Sequence, residues 1–240
     1  IDTGAYGFVG FQTIKNAVTD FFGKDYLVKT VWNSLLLTFV SLVAGIGGAV
    51  IFSFYIYKKY VFSGVFKVAL FLPSIISSMV MATLFWYVAE GGLPALREMV
   101  SGRWTSEGLL TDPKTDFGTA MFFTVWIGFG PLIMMFSAAM NDISPSIVES
   151  AELDGITPLK EFWFITLPLI WETFVTYVVA TIAATFVNQM NLFSFYSANA
   201  EPRISTVGYY LFSSVSKPFS SYKDYPELSA LGVVFTLITI

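Results

Sequence analysis

The stretch Glu149-Ser-Ala-Glu-Leu-Asp-Gly155-Ile-Thr-Pro-Leu-Lys-Glu-Phe-Trp-Phe-Ile165-Thr-Leu-Pro168 is an acid-rich segment between two long apolar runs. The charged residues of 141–166 are Asp142, Glu149, Glu152, Asp154, Lys160 and Glu161. Each charge at the centre of a bilayer costs about 2.5–3.5 kcal/mol, so together they would cost on the order of 15–20 kcal/mol. The segment is therefore predicted to lie outside the membrane.

The same segment carries two helix start signals and one stop signal. Ser144-Pro145 is typical of an N-cap followed by the first helical residue, and Thr157-Pro158 repeats that pattern. Gly155 between them is typical of a left-handed helix end. We expect two short helices joined at Gly155 into a rigid elbow. Its mixture of acidic and apolar side chains makes it a candidate docking surface for another protein.

The composition of the chain indicates a membrane protein. Of its 240 residues 55% are hydrophobic and only 12% are charged, about half the charged fraction of a soluble domain. The absence of Cys and His excludes thiolate nucleophiles, disulfides, haem ligation and zinc–imidazole sites. No phosphate-binding loop of the Gly-x-x-x-x-Gly-Lys-Ser/Thr type is present, and a net charge of −4 does not favour nucleic acid.

A membrane-spanning helix needs about 20 mostly apolar residues. Such runs occupy 31–57, 65–88, 117–140 and 167–192, and a fifth begins near 228. We expect an all-α polytopic bundle forming a single domain over 1–240, with five spans visible, the last truncated, and six or more in the full protein. Ser41, Gly45 and Ala49, and likewise Ala44 and Gly48, recur at a spacing that lets helices approach closely.

The orientation is predicted from one basic pair. The count of Lys and Arg in the loops does not decide it, but Lys58-Lys59 lies directly against a helix end and favours the cytoplasm. We therefore expect 58–64 and 141–166 on the cytoplasmic side. The segments 1–30, 89–116 and 193–227 are then expected to face outward.

Uncharged polar residues follow one face of the fourth run. Thr181, Thr185 and Asn188 fall at i, i+4 and i+7. Hydroxyl and amide groups at membrane depth suit a neutral, hydroxyl-rich cargo, and Trp126 and Tyr177 are suited to stack on sugar rings. Hydrogen bonding between helices explains the same pattern equally well.

The elbow resembles the signature of the permease subunits of binding-protein-dependent ABC importers. That signature is Glu-Ala-Ala, three residues, Gly, nine residues and Ile-x-Leu-Pro, and Glu149-Ser-Ala151, Gly155 and Ile165-Thr-Leu-Pro168 match its spacing. Phe8-Val-Gly-Phe-Gln12, Trp32-Asn-Ser-Leu35 and Trp126-Ile-Gly128 are similar to the carbohydrate branch, in particular the maltose F-type subunit.

The resemblance implies a bacterial cell-membrane permease without catalytic residues or a metal site. Residues 145–165 would be its coupling helices, and the residues expected to contact the ATPase are Glu149, Ser150, Ala151, Asp154 and Gly155. The implied partners are an ATP-binding subunit present as a dimer, a second homologous permease subunit, an extracellular solute-binding protein and membrane lipid. ATP and Mg would be held by the ATPase, and this chain would bind no cofactor.

The resemblance also implies a path for a sugar or oligosaccharide. Sugar-contacting positions of the maltose F-type subunit fall on Thr181, Thr185 and Asn188, on Thr124, Ile127 and Gly128, and on Pro131. Trp126 and Tyr177 complete the predicted path. The alternative from another class is an ion-coupled secondary transporter or channel, which usually carries acids deep in its spans. Only the shallow Glu172 offers one in these runs.

Overall fold

The computed structural model describes residues 11–101, 108–216 and 225–239. Within these ranges the chain is helical and contains no strand, which confirms the all-α prediction. The helices, labelled in chain order, are α1 (Gln12–Phe22), α2 (Asp25–Tyr57), α3 (Ser63–Ile75), α4 (Ser78–Val100), α5 (Asp116–Asn141), α6 (Pro145–Leu153), α7 (Pro158–Leu169), α8 (Trp171–Ala183), α9 (Leu192–Tyr196), α10 (Val207–Ser216) and α11 (Tyr225–Thr239). Residues 8–10 of the predicted family match lie outside the described residues.

Three of these helices, α2, α4 and α5, are long and apolar enough to cross a membrane. The helices α7 and α8 pass the same test together but are bent by 73° at Ile170, and α11 is a shorter apolar helix. The prediction of one continuous helix over 65–88 is wrong. Ile76 is extended, with φ −78° and ψ 142°, and it separates α3 from α4. Pro73, which has no N–H to donate, lies in the last turn before this break.

The chain gathers into two compact units. The terminal unit contains the described parts of 1–35 and 183–240, and the central unit contains 36–182. The core of the terminal unit is built from α1, α10, α11, the start of α2 and Phe186. Aromatic rings meet edge-on at its centre, where the centroids of Phe21 and Phe235 are 5.2 Å apart.

Asn33 and Ser34 of α2 hold the segment that leads into α10 of the terminal unit. The Asn33 Nδ2 group donates to the carbonyl oxygens of Arg203 and Ser205, both at 2.9 Å. The Val207 N–H donates to Ser34 Oγ, also at 2.9 Å. Both side chains are buried, so their polar groups are satisfied inside the fold. This contact gives the Trp32-Asn-Ser-Leu35 motif a structural role.

In the central unit α2 packs closely on α5. A Cβ atom at Gly48 would lie 3.0 Å from the Phe129 ring, and the Ser53 Oγ donates to the Ile133 carbonyl oxygen at 3.1 Å. Gly45 and Ala49 are buried, as the small-residue pattern predicts, whereas Ala44 is exposed and takes no part in close packing. The small residues of α2 therefore serve helix packing.

Candidate functional site

The elbow, residues 145–165, has the geometry predicted from its start and stop signals. Pro145 is the first residue of α6 and Pro158 the first of α7. Gly155 has φ +72°, the Ile156 N–H bonds the Ala151 carbonyl at 3.1 Å, and the Gly155 N–H bonds the Glu152 carbonyl at 3.0 Å. These two bonds form a Schellman helix end, in which the left-handed residue is most readily glycine. The predicted bend at Gly155 is confirmed.

The outer surface of the elbow is both acidic and apolar. Glu149, Ser150 and Asp154 are exposed, as expected of residues that meet a partner. Leu153 is 89% exposed, and the other apolar side chains left uncovered on the elbow are Ile147, Leu159, Trp163 and Phe164. This combination of charge and uncovered apolar area is typical of an interaction surface.

Ala151 does not belong to that surface. Its side chain is only 5% exposed, so it packs inward, and its contact with a partner stays a prediction. A residue on the inner face of a helix is covered by the chain's own core, and the small side chain allows α6 to lie close to it. The residues available on the elbow are thus Glu149, Ser150, Asp154 and Gly155 with the apolar side chains beside them.

Lys58, directly after α2, bridges both arms of the elbow. Its Nζ lies 3.1 Å from Glu152 Oε1 on α6 and 2.9 Å from Glu161 Oε2 on α7. Side-chain exposure is 15% for Lys58, 3% for Glu161 and 60% for Glu152, so one pair is buried and the other faces solvent. Burial alone lowers the pKa of Lys58, but hydrogen bonds and charges from Glu161 and Glu152 outweigh it and raise the pKa above its ordinary value.

An aromatic contact lies beside this bridge. The ring centroids of Phe54 and Phe162 are 5.1 Å apart at an interplanar angle of 62°. Phe54 precedes Lys58 by one helical turn and Phe162 follows Glu161, so α2 and α7 are joined by an apolar and an ionic contact side by side. Both rings belong to a core that also contains Phe136 and Met140 of α5. The elbow is therefore seated on α2 and α5 together.

Sequence reasoning did not assign Lys58 or Glu161 to the site. The only signal for Lys58 in the sequence is its position at a helix end, and Glu161 is one of several acids in a segment predicted to lie outside the membrane. The contact does place 58–64 and 141–166 at the same end of the central unit. That agrees with the prediction that both segments face one side of the membrane.

The predicted path residues of the central unit lie on α5 and α8. The Thr124 and Thr181 hydroxyls donate within their own helices, to Ala120 and Tyr177 carbonyls, at 2.9 and 2.8 Å. Trp126 stacks on Phe122 at an interplanar angle of 15°, and Tyr177 packs on Phe136 with centroids 5.5 Å apart. Ile127 and Gly128 are partly buried on α5, whereas Pro131 is exposed. Trp126 also lines an apolar cavity of about 230 Å³ with Phe85.

Thr185 and Asn188 do not continue the helical face of Thr181, and that prediction is wrong. α8 ends at Ala183, and the chain from 184 to 191 follows turns, with Met190 and Asn191 both at φ 52°. The Asn188 Oδ1 accepts the Met190 N–H at 2.9 Å, a local bond that competes with continuation of the helix. Thr185 is buried, and Asn188 is partly buried.

The unwound segment 184–191 is held within the terminal unit by Thr206, just before α10, and by Gly208 in its first turn. Thr206 Oγ1 donates to the Asn188 carbonyl at 2.8 Å. A Cβ atom at Gly208 would lie 2.4 Å from the Val187 carbonyl oxygen, so only glycine permits this approach. Phe186, Val187 and Gln189 face a mainly apolar pocket of about 360 Å³ that α10 and α11 complete. Non-helical backbone at membrane depth is tolerated where protein covers it or where it lines a cavity.

Comparison with protein families matches residues 41–240 to the binding-protein-dependent transport system inner membrane component. Two relatives align over the greater part of the chain. The multiple sugar-binding transport system permease protein MsmF of Streptococcus mutans is 26% identical over 163 residues, covering 68% of this chain and 55% of MsmF. The sn-glycerol-3-phosphate transport system permease protein UgpA of Yersinia enterocolitica is 30% identical over 155 residues, covering 62% of this chain and 50% of UgpA. The chain spans about half the length of these relatives.

The fold is shared with a solved transporter. A bacterial alginate ABC transporter, in complex with an alginate pentasaccharide-bound periplasmic protein, superposes with a TM-score of 0.78 over 94% of this chain and 82% of the other. The two sequences are 17% identical, so the likeness shows the fold.

Proposed function

The chain belongs to the family of binding-protein-dependent transport system inner membrane components, and from this premise we propose that it is the membrane-spanning permease subunit of an ATP-driven ABC importer. The observation that carries the proposal is the elbow. Its left-handed Gly155 fixes two short helices at an angle, and exposed acids with uncovered apolar side chains cover the outer surface. Such a surface is complementary to a cleft with an apolar floor and a basic rim.

The partner at the elbow is an ATPase subunit that is itself a dimer, and it carries the ATP and Mg. The exposed Glu149 and Asp154 would meet basic groups at the rim of its cleft, and Leu153 would enter the floor. Charged groups at a rim mainly govern the rate and specificity of association, whereas buried apolar anchors contribute most of the affinity. The permease itself performs no catalytic step.

We infer the further partners by analogy with the family. A second homologous permease subunit would complete the translocation path, and an extracellular solute-binding protein would deliver the cargo. The alginate transporter that shares the fold was solved with a periplasmic protein, which supports this assignment. The location that fits is the bacterial plasma membrane, where lipid covers the exposed apolar side chains of the spans.

The cargo that the chain supports best is a sugar or oligosaccharide. MsmF is named for multiple sugars, and the alginate transporter was solved with an alginate pentasaccharide bound to its partner. Thr181 and Asn188 offer uncharged hydroxyl and amide groups, and the unwound segment 184–191 introduces non-helical backbone into the fourth apolar run. Unwound backbone of this kind commonly lines the cargo site of a transporter.

The proposal is tested by purifying the full-length protein with its native partners from membranes. We expect an ATPase, a second permease subunit and uptake of a sugar into vesicles when the solute-binding protein is supplied. Glu149→Lys should weaken association of the ATPase, because it reverses a charge on the exposed surface of the elbow. Asp20→Lys, a charge reversal at an exposed site on α1, is the control and should leave association unchanged. If no ATPase co-purifies with the unmodified protein, the proposal is contradicted.

A further inference from the structure

The contacts of Lys58 distinguish the two arms of the elbow from each other. The pair with Glu161 on α7 is buried, and the Phe54–Phe162 ring contact lies beside it. The pair with Glu152 on α6 leaves that carboxylate 60% exposed. A buried charge that loses its partner is strongly penalised, whereas an exposed ion pair contributes little and opens readily. The ion pair between Lys58 and Glu161 on α7 is therefore expected to persist, whereas the pair between Lys58 and Glu152 on α6 opens readily.

The surroundings of Glu152 favour an exchange of partner. Glu149 and Glu152 lie three residues apart on α6 and share one face of that helix. A basic group that approaches the exposed Glu149 therefore comes within reach of Glu152 as well. Glu161 has no such alternative, because its side chain is covered by the chain's own core.

The joint between the arms is a single left-handed turn at Gly155. Gly155 is the sole residue of the elbow with a positive φ, and no atom lies within 4 Å of the position that its Cβ would take. A turn of this kind adjusts its dihedral angles without a steric clash. Lys58 therefore contacts one residue on each side of this turn, Glu152 before it and Glu161 after it.

We propose that Lys58 is a positioning residue of the transport cycle, which clamps α7 to α2 through Glu161 at all times and releases Glu152 on α6 when the ATPase occupies the elbow. This inference rests on the proposed function, since the release is driven by the docked subunit. The Lys58–Glu161 pair would then couple α2 directly to the movement of the elbow that ATP hydrolysis drives. Motion of α7 would then be passed to α2 as well as to α8.

The first experiment compares two neighbouring lysines in purified, assembled transporter. Lys58→Met should lower the sugar moved per ATP hydrolysed about five- to tenfold, within the range that single residues of a coupling network contribute. Lys59→Met is the matched control, because it removes the same charge from an exposed neighbour, and it should leave that ratio unchanged. A ratio that falls equally in both variants, or in neither, overturns the clamp.

The second experiment replaces each ion pair by a covalent link in a chain whose 240 residues contain no cysteine. In Lys58→Cys with Glu161→Cys, a bis-thiosulfonate cross-linker of about the length of the lost pair should restore the ratio of sugar to ATP. In Lys58→Cys with Glu152→Cys, the same cross-linker should fix α6 and restore nothing, although the ATPase still associates. If the cross-link between positions 58 and 152 restores the ratio of sugar to ATP, or if neither cross-link does, the proposed release of Glu152 is contradicted. Absence of sugar uptake in the unmodified complex would instead contradict the proposed function itself.

Discussion

Glu161 and Lys58 form a buried ion pair in which Oε2 and Nζ lie 2.9 Å apart, and this pair attaches the elbow to the end of α2. A buried ion pair is not by itself a large source of stability, because removing two charges from water offsets most of their attraction. Loss of only one partner is different, since it leaves an uncompensated buried charge. The pair therefore makes the contact between α2 and the elbow specific.

Lys58→Met should destabilise the purified protein. The variant leaves the Glu161 carboxylate buried without its cation, which costs about 3 kcal/mol or more when a buried pair is broken from one side. A thermal melt in detergent measures the effect, and Lys59→Met should melt like the unmodified protein. Lys58→Met combined with Glu161→Leu should regain most of the loss, because no charge then remains buried. Equal melting temperatures for Lys58→Met and Lys59→Met would contradict this account.

The pH dependence of that stabilisation follows from the raised pKa of Lys58. Burial opposes the charge of the lysine, but Glu161 and Glu152 more than compensate, so the folded protein holds this proton more tightly than the unfolded chain. The contribution of the Lys58 charge to the free energy of unfolding is therefore fully present below the ordinary lysine pKa of 10.5. It is lost as pH rises through the higher pKa that Lys58 has in the folded protein. The difference in melting temperature between the unmodified protein and Lys58→Met should persist at about pH 9. A difference that disappears between about pH 7 and 9 would contradict the assignment.

Gly155→Val should disrupt the elbow through the backbone alone. A side chain at φ +72° costs about 1–2 kcal/mol for a non-glycine residue, and more for a β-branched one, while open space around the site excludes a clash. ATPase association, measured by co-purification, should fall, and Gly155→Asn should retain more of it because Asn tolerates this conformation. Gly64→Val on α3 also meets open space, and it serves as the control. Equal association in Gly155→Val and Gly155→Asn would show that the left-handed turn is not required.

Gly208→Ala should destabilise the terminal unit. The added methyl would lie 2.4 Å from the Val187 carbonyl oxygen, and overpacking of this kind costs about 1–3 kcal/mol. Gly232→Ala on α11 places the same methyl in open space and should change the melting temperature little. If both variants melt alike, α10 does not hold the unwound segment in the way that the structure indicates.

The features predictable from the sequence are those coded by neighbouring residues. The elbow was predictable because Pro145, Gly155 and Pro158 act on their own backbone through fixed φ, a missing N–H or a tolerated left-handed turn. The membrane helices over 31–57 and 117–140 were predictable because length and hydropathy are sums over one segment. Neither required knowledge of which segments meet in space.

The features that could not be predicted depend on distant contacts. Lys58 acquires its role from residues of α6 and α7, and periodicity carries no information about that meeting. The end of α8 at Ala183 was hidden for the same reason. Thr181, Thr185 and Asn188 have helical spacing, but the local bond from the Met190 N–H to Asn188 and the contact with Thr206 favour the unwound chain. Tertiary contacts override a helical pattern in such a segment.

The last prediction concerns the cargo path. The hydrogen bonds of the path residues show which substitutions remove a polar group without disturbing the fold. Asn188→Leu removes the amide that a sugar hydroxyl would meet, but it also removes the acceptor of the Met190 N–H. Thr181→Val is cleaner, because the Thr181 hydroxyl donates to Tyr177 within its own helix and its loss disturbs the fold little. An unpaired polar group of the sugar costs about 1–3 kcal/mol, so uptake per assembled complex should fall roughly ten- to a hundredfold in either variant. Thr176→Val, on an exposed part of α8 with the same kind of internal bond, is the matched control and should transport normally. If Thr181→Val transports like Thr176→Val while Asn188→Leu loses only thermal stability, these polar groups serve packing and the sugar passes elsewhere.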